Sequence, residues 1–356
     1  MNERRILARA PSNIAIVKYM GKADVARNLP ANPSLSMTLS NLCTFVEIRP
    51  SAESRLVAEK PEGARGESPS LSAEGAAKFL RHLARVFERA PTLLAPFGVV
   101  VRPAEAVEIR TANTFPAAAG IASSASSFAA LTLAAAAYAA EDVEAFRAVY
   151  AKDPELRRRL AALSREGSGS SCRSFEGPFV AWDGERVEAV ESALRPLSDL
   201  VVVVSAGEKK VGSSEAHRRV RTSPHWEGRT IRAANRYADL RRALARGEFA
   251  ALREIADADF RDMHRLFESS EPPFSYFAPG TEAVLAFLGS FAEGNAPIAV
   301  TMDAGPNVHV IVHQADEERW RRTLADRFPE FPVLVDREGT GAEFTVTGVA
   351  GGEARS

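Results

Sequence analysis

The sequence contains very little cysteine. Two cysteines, Cys43 and Cys172, occur in 356 residues, and they lie far apart in the chain. This number and spacing exclude a disulfide framework and a metal site built from paired cysteines. A protein of a reducing compartment such as the cytoplasm is therefore expected.

An excess of charge of either sign is also missing. The chain has 45 Lys and Arg against 46 Asp and Glu, a formal net charge of -1. It therefore offers no general attraction to nucleic acid or to an anionic membrane, and any anionic ligand must be held by a local site. The first residues, MNERRILARAPSN, lack the apolar core of a secretory signal. No segment approaches the roughly 20 uninterrupted apolar residues of a membrane span. A soluble globular protein is expected.

Two familiar nucleotide-binding patterns are absent, because the chain has neither a Walker A loop nor a G-x-G-x-x-G fingerprint. It has instead a run of very small residues, 116–124, that turns into an alanine-rich helical pattern. Small side chains let a ligand approach the backbone, and the free amides at the start of a helix suit a phosphate. Composition alone also allows a simple buried helix preceded by a loop.

Polar side chains follow the first predicted strand, 6–17, where the chain continues with Lys18, Tyr19, Gly21 and Lys22. Polar groups directly after a strand often face a ligand. The pattern is equally compatible with a solvated strand end, because lysines usually lie in water.

Two further clusters contain chemically useful residues. Residues 167–174 are rich in glycine and serine and include Arg173, whose guanidinium can bind a carboxylate through two parallel hydrogen bonds. Asp303 lies in a Gly-Pro turn between two predicted strands. The structural alternatives are a flexible turn for the first cluster and a turn-forming aspartate for the second.

Hydrophobic periodicity predicts a mixture of strands and helices, which begins again with a buried valine-rich strand near residue 200. Two packed lobes are expected from this arrangement and from the length. The predicted strands are 6–17, 44–49, 99–101, 106–111, 179–182, 200–204, 297–301 and 308–313. The predicted helices are 76–88, a helical region from the small-residue run to about 163, 226–246, 249–267 and 281–291.

The small-residue run resembles a known motif. Pro116-Ala-Ala-Ala-Gly120-Ile-Ala-Ser123-Ser124-Ala125 is similar to the second motif of the GHMP kinase superfamily, and the preceding Asn113-Thr-Phe resembles the diphosphomevalonate decarboxylase family within it. Three other segments resemble the signatures of that family in the same order along the chain. They are residues 10–22 with 29–39, residues 167–174, and residues 303–307.

The resemblance implies an α+β GHMP kinase fold with two α/β lobes and the active site between them. A ribosomal-protein-like N-terminal lobe would cover residues 1–190 and bind ATP, and a ferredoxin-like C-terminal lobe would cover residues 191–356. The implied reaction is phosphorylation of the 3-hydroxyl of 5-diphosphomevalonate by ATP with Mg²⁺, followed by loss of phosphate and CO₂ to give isopentenyl diphosphate. The family also implies a homodimer.

The resemblance also assigns roles to individual residues. Asp303 would be the base for the 3-hydroxyl, Lys18 would keep it ionised, and Arg173 would bind the C1 carboxylate. The other substrate-binding residues would be Asn13, Tyr19, Lys22, Ser168, Gly169, Ser170 and Ser214. The nucleotide would be bound by Pro116, Ala119, Gly120, Ala122, Ser123 and Ser124, with Ser124 also on the metal.

Two departures from the family pattern concern the 5-phosphoryl end of the substrate. Gly75 aligns with a family arginine that contacts the diphosphate, and Glu215 follows the paired serines where the family has Thr or Arg. An acidic side chain beside a diphosphate would repel it unless it is neutralised or turned away. A 5-monophosphate substrate, a small-molecule kinase that does not decarboxylate, and a binding protein without catalysis remain alternatives.

Overall fold

Two β-sheets form the framework of the structure, a computed structural model that describes residues 4–115, 123–205, 207, 210–293 and 296–347. The strands in these ranges are β1 (Arg5–Val17), β2 (Lys22–Asp24), β3 (Leu29–Pro30), β4 (Ser34–Pro50), β5 (Arg55–Val57), β6 (Val107–Asn113), β7 (Phe179–Asp183), β8 (Arg186–Val190), β9 (Leu197–Val202), β10 (Ile298–Thr301), β11 (Val308–His313), β12 (Val333–Arg337) and β13 (Glu343–Thr347). The α-helices are α1 (Ala73–Leu94), α2 (Ser123–Ala139), α3 (Val143–Lys152), α4 (Pro154–Gly167), α5 (Ser213–Arg219), α6 (Trp226–Arg246), α7 (Phe249–Glu268), α8 (Pro279–Glu293) and α9 (Glu317–Arg327).

The larger sheet has seven strands, and the smaller main sheet has four. In the first, the order is β13-β1-β4-β6-β5, and β7 joins the other part of β4 and carries β8. Its pairs are antiparallel except β5 with β6. The second sheet is antiparallel with the order β10-β11-β9-β12. The predicted mixed α+β class is confirmed.

Most predicted elements are present, and one is wrong. Helix α6 has the predicted bounds, because its amphipathic pattern stops at Gly247, which takes a left-handed conformation. The predicted strand at 99–101 does not form. Val101 makes a single bridge to Ala140, and Val100 is 63 % exposed, so no neighbouring strand stabilises this segment.

Helix α2 is described from Ser123 and is buried on almost all sides from Ala125 onwards. Alanines dominate it, so its backbone can approach strands β1 and β4 closely. The helix therefore lies against the larger sheet with its first residues at the edge of the cleft described below. The loop predicted to bind phosphate before it, residues 116–122, lies outside the described residues.

An apolar layer between the two sheets joins them through α6 and α7. Ile14 and Leu35 of the larger sheet pack with Leu240, Leu252 and Ile311 of the C-terminal half, and all five side chains are fully or almost fully buried. Burial of one such side chain stabilises a fold by roughly 1.5–3 kcal/mol. This layer fixes the end of β1 opposite the turn between β10 and β11.

The boundary predicted between residues 190 and 191 stays a prediction. Strand β13 lies beyond it in sequence and pairs with β1 of the larger sheet. Among the described residues, no helix combines the length and the apolar character needed to cross a bilayer.

Candidate active site

An open cleft lies where the end of β1, the start of α2, the segment after α4 and the β10–β11 turn meet. Its empty space is about 920 Å³, solvent included, a size typical of a small-molecule site. Asp303 is the one carboxylate among its described lining residues, whereas four are cationic. The polar lining consists of Asn13, Lys18, Tyr19, Lys22, Asn28, Lys78, Ser124, Ser168, Ser170, Arg173, Ser213, Ser214, His217 and Asp303.

Lys18 and Asp303 form an ion pair at the floor of the cleft, with 2.8 Å between Lys18 Nζ and Asp303 Oδ1. The lysine side chain is 3 % exposed and the aspartate 23 %, so the carboxylate still faces the cleft. Asp303 lies on the turn after β10, where its backbone oxygen accepts hydrogen bonds from Gly305 and from His264 Nε2. A charge-assisted pair in this position favours the ionised carboxylate.

The backbone of Lys18 is held from below by a buried ionic network. Its N–H donates to Asp259 Oδ2 at 2.8 Å, and its carbonyl oxygen accepts from Arg229 Nη2 at 3.0 Å. Arg229 and Asp259 are fully buried and are joined by two hydrogen bonds of 2.5 and 3.0 Å. Asp262 extends the network from the same helix, α7. Lys18 is therefore positioned by two helices that are remote from it in sequence.

Arg173 is buried in the wall of the cleft among neutral hydrogen-bond partners. Its guanidinium donates to Ser36 Oγ at 3.0 Å, to Ser34 Oγ at 2.6 Å and to Asn13 Oδ1 at 3.4 Å. Burial lowers the pKa of this guanidinium, and the charge of Asp303 partly offsets the effect. A buried cation without a paired carboxylate is costly unless an anion compensates it. The cleft therefore presents a ready receptor for an anionic group.

An aromatic wall faces these charges. The Tyr19 ring lies between Trp182, at 4.7 Å between centroids, and His217, at 4.4 Å. Gly169 passes next to it, and a Cβ at this position would come within 2.7 Å of the Tyr19 hydroxyl. Only glycine fits between the ring and the cleft, which explains one glycine of the Gly-Ser cluster.

His217 is a polar member of this wall that the sequence did not indicate. Its Nδ1 accepts a hydrogen bond of 2.9 Å from the backbone N–H of Gly21, so the ring proton of the neutral form lies on Nε2. Burial, with the nearby charge of Lys22, lowers the pKa of His217 to about 3. His217 is thus a neutral hydrogen-bond donor that lines the cleft.

Lys22 and Lys78 also line the cleft, Lys22 from β2 and Lys78 from α1. The pKa of each is lowered, first by burial, and for Lys22 also by the charge of Lys78. Nearby, Ser168 Oγ donates to Ser124 Oγ at 3.2 Å, which joins the start of α2 to the Gly-Ser cluster.

The structure gathers most of the residues singled out from the sequence in this cleft. Asp303, Lys18 and Arg173 line it, as do Asn13, Tyr19, Lys22, Ser168, Gly169, Ser170, Ser214 and Ser124. Ser123 is the first residue of α2 and is not among the lining residues. Pro116, Ala119, Gly120 and Ala122 lie outside the described residues.

Sequence reasoning missed Lys78 and His217. A usable signal existed for each: Lys78 follows Gly75 by three residues and His217 follows Ser214 by three, so each pair shares a helix face. The Gly-Ser cluster is not a flexible turn, because residues Gly169–Ser174 form a 3-10 helix that is largely buried.

Glu215 is neutralised by its own helix. It forms ion pairs with Arg218 and with Arg219, the latter at 2.6 Å, and it is not among the residues that line the cleft. Hydrogen bonds from these two arginines lower the pKa of Glu215. The repulsion expected from an acidic residue beside the serines is thereby removed.

No group of three or more histidine, cysteine or carboxylate side chains within the described ranges could hold a metal ion. Mg²⁺ usually retains several waters and binds through one or two protein oxygens together with substrate phosphates. Ser124 and Ser168 therefore fit a magnesium ion that arrives with a nucleotide, whereas they do not fit a metal held by protein ligands alone.

The two-lobed fold and a cationic cleft at the start of an alanine-rich helix define a protein of the GHMP kinase type. The Aspergillus fumigatus diphosphomevalonate decarboxylase is 32 % identical over 335 residues, which cover 88 % of this chain and 78 % of that protein. The crystal structure of a mevalonate diphosphate decarboxylase from Legionella pneumophila is 37 % identical, with a TM-score of 0.76, and the match covers 93 % of this chain and 100 % of that one. A structure of MDDEF in complex with MVAPP, AMPPCP and magnesium is 29 % identical, with a TM-score of 0.79 over 96 % of this chain and 99 % of that one.

Two family models cover most of the chain. The diphosphomevalonate decarboxylase-like N-terminal domain matches residues 10–193, and the mevalonate 5-diphosphate decarboxylase C-terminal domain matches residues 199–343. The chain belongs to the diphosphomevalonate decarboxylase family. The resemblance drawn from the sequence motifs is confirmed.

Proposed function

We propose that this enzyme decarboxylates (R)-5-diphosphomevalonate at the expense of ATP, giving isopentenyl diphosphate, ADP, phosphate and CO₂ in the mevalonate pathway. Relatives named as diphosphomevalonate decarboxylases and the MDDEF complex with MVAPP, AMPPCP and magnesium support this function. The observation that carries it is the buried guanidinium of Arg173, which has neutral partners, in the same cleft as the Lys18–Asp303 pair.

Asp303 is the residue we propose to take the proton of the 3-hydroxyl. As the hydroxyl oxygen forms its bond to the γ-phosphorus of ATP, the bond from that phosphorus to the β–γ bridging oxygen breaks and ADP leaves. The proton of the hydroxyl moves to the Asp303 carboxylate. Lys18, 2.8 Å away, stabilises the ionised carboxylate before this step. Afterwards its ammonium charge offsets the negative charge of the transferred phosphoryl group.

Arg173 is the residue we propose to support the decarboxylation step. Its guanidinium would bind the C1 carboxylate of the substrate, which fixes the C1–C2 bond relative to the 3-phosphate. When the C3–O bond breaks and phosphate leaves, the electron pair of the C1–C2 bond forms the C2–C3 double bond, and C1 departs as CO₂. Asn13, which already contacts Arg173, and Ser170 would hold the same part of the substrate.

ATP would lie with its phosphates at the start of α2. Ser123 and Ser124, with Pro116, Ala119, Gly120 and Ala122 of the preceding segment, are the residues proposed to bind it. Mg²⁺ would be held by the phosphates and Ser124, and it would neutralise charge on the transferred group. Tyr19, Lys22, Ser168, Gly169 and Ser214 would contact the 5-phosphoryl part of the substrate.

The proposal also covers the lobe boundaries, the cellular location and the oligomeric state. We infer lobes of residues 1–190 and 191–356, a cytoplasmic location and a homodimer. The two cysteines are buried free thiols, which suits a reducing compartment. The homodimer rests on resemblance to the family, and light scattering after size exclusion would test it.

Stoichiometry tests the function directly. Purified protein with ATP, Mg²⁺ and mevalonate carrying no, one or two 5-phosphates should release ADP and CO₂ in equal amounts, fastest with two. ADP without CO₂ would show a simple kinase, and no turnover with any of the three would contradict the proposal.

A substitution of the proposed base adds a second test. Asp303→Asn should lower kcat by about 10²–10⁴-fold while substrate still binds. Asp257→Asn is the matched control, because Asp257 is 45 % exposed and pairs with Arg261 on the surface of α7. Full activity of Asp303→Asn would remove Asp303 from the reaction.

A further inference from the structure

The cationic side of the cleft contains one residue that the proposed reaction does not use. Lys78 projects from the first turns of α1 into the same cleft as Lys22. Neither lysine has a carboxylate partner within 4.0 Å among the described residues. Lysines usually point into bulk water or pair with acids, so two of them facing one cavity indicate an anionic ligand.

The two lysines line the same cleft, so one bound anion can be reached by both of their charges. The charge of Lys78 contributes to the lowered pKa of Lys22, and burial is the main cause for both residues. Lys78 is also held in place, because its Nζ lies 5.0 Å from the centroid of the buried Phe128 ring. An anion between the lysines would remove the repulsion and compensate the lost hydration of both.

The position on α1 connects Lys78 with the departure noted at Gly75. Gly75 is in the first turn of α1, where Ser72 Oγ accepts its N–H at 3.1 Å, and Lys78 lies three residues further on the same face. A side chain at residue 75 would meet nothing closer than 3.4 Å, so the glycine is not required by packing. Where the resemblance to the family places an arginine at residue 75, this helix carries its cation at residue 78, one turn later.

We propose that Lys78, together with Lys22, binds the terminal phosphate of the 5-diphosphate and so makes the enzyme prefer the 5-diphosphate over the 5-monophosphate. The inference rests on the proposed function, because it concerns the substrate of that reaction. His217, a neutral donor that lines the same cleft and contacts the backbone of Gly21 next to Lys22, suits the less charged inner phosphate. The preference then comes from the two lysines and not from an arginine at residue 75.

The test measures discrimination between two substrates. For Lys78→Ala, kcat/KM for CO₂ release from 5-diphosphomevalonate should fall roughly 10- to 100-fold, the usual effect of losing a hydrogen bond to a charged group. The value for 5-phosphomevalonate should change less than about twofold, so the ratio of the two should fall at least about tenfold. Arg81→Ala is the matched control, because Arg81 is an exposed cation on the same helix that does not line the cleft.

A double variant provides the converse test. Gly75→Arg combined with Lys78→Ala should recover most of the lost preference, because the new guanidinium starts from the same face of α1. The KM for ATP should stay within about twofold in every variant. A raised KM for ATP with an unchanged substrate ratio would place Lys78 at the nucleotide and overturn the inference.

Calorimetry separates this inference from the proposed function. Without ATP, Lys78→Ala should bind 5-diphosphomevalonate roughly tenfold or more weakly than the original chain, whether or not CO₂ is released. An enzyme that releases CO₂ with an unaltered substrate ratio in Lys78→Ala contradicts the inference alone. A chain that binds the 5-diphosphate through Lys78 but releases no CO₂ contradicts the function alone.

Discussion

Two buried arginines belong to the surroundings of Lys18, Arg229 in the network that holds its backbone and Arg173 in the cleft that it lines, and they differ in their partners. Below Lys18, Arg229 is fully buried and bonded to the carboxylates of Asp259 and Asp262. In the cleft, Arg173 is 3 % exposed and bonded to hydroxyl and amide oxygens. Both guanidiniums are desolvated by burial, but only that of Arg229 is paired with carboxylates of the protein.

This difference separates a charge that the fold compensates from a charge that remains available to a ligand. The carboxylates of Asp259 and Asp262 outweigh the effect of burial and raise the pKa of Arg229, whereas burial lowers the pKa of Arg173. A charge compensated within the chain stabilises the fold and has little left to offer a ligand. A charge left among neutral partners stores a desolvation cost that a bound anion can relieve. The same reasoning extends to Lys22 and Lys78.

The largest expected effect is on stability, from breaking the compensated group. Arg229→Met leaves Asp259 buried without its partner and should lower the free energy of unfolding by about 3–5 kcal/mol. Urea unfolding measures this loss. Arg261→Met, which removes an exposed arginine paired once on α7, should cost less than about 1 kcal/mol. Equal losses for the two variants would contradict a structural role specific to Arg229.

Arg173→Met should show the opposite profile. We expect kcat/KM for CO₂ release to fall about 10²- to 10³-fold, because the substrate carboxylate loses its charged partner. The free energy of unfolding should fall by about 1–3 kcal/mol, less than for Arg229→Met, because neutral acceptors lose a donor but no buried carboxylate is left without its partner. Steady-state kinetics and urea unfolding of one preparation test both statements. A stability loss as large as that of Arg229→Met would show that Arg173 is structural.

The residues of the cleft could be predicted from the sequence far better than the buried network around Arg229. Motifs singled out Arg173, Lys18 and Asp303, and the structure brings all three to one cleft. The contact between Arg229 and Asp259 joins two helices, and its partners are 30 residues apart. Each residue alone is an ordinary charge on an amphipathic helix, and only the packing of α6 against α7 brings them together. Lys78 was missed for a related reason, since its distance to Lys22 depends on how α1 meets the sheet.

Acidification should weaken the compensated group only at low pH. Burial raises the pKa of Asp262, but hydrogen bonds from Arg232 and Arg236 and the charge of Arg229 outweigh it and hold the pKa at about 2, below the ordinary 3.8. A carboxylate whose pKa is lowered by folding stabilises the fold at any pH above the ordinary pKa of aspartate. This stability is lost as the pH falls from there toward 2. The contribution is on the order of 2 kcal/mol at neutral pH.

Asp262→Asn provides the measurement. Its deficit in unfolding free energy should be full at pH 7 and should shrink steadily between pH 4 and pH 2, where the original carboxyl also becomes neutral. Urea unfolding at several pH values follows this change. Glu144→Gln is the control, because Glu144 is 65 % exposed and its single pair with Arg147 should contribute little at any pH. A deficit of constant size across this range would assign the role of Asp262 to packing.

The smallest expected effect concerns Glu215, which combines features of both groups. It is close in sequence to the cleft residue Ser214, yet its charge is compensated by Arg218 and Arg219 on its own helix. Because these pairs are exposed to solvent, Glu215→Gln should change the free energy of unfolding by less than about 0.5 kcal/mol. The KM for 5-diphosphomevalonate should stay within about twofold, since the lost charge is already neutralised. A clear fall in KM would mean that Glu215 repels the substrate despite its ion pairs. Its place next to Ser214 would then matter more than its neutralisation by Arg218 and Arg219.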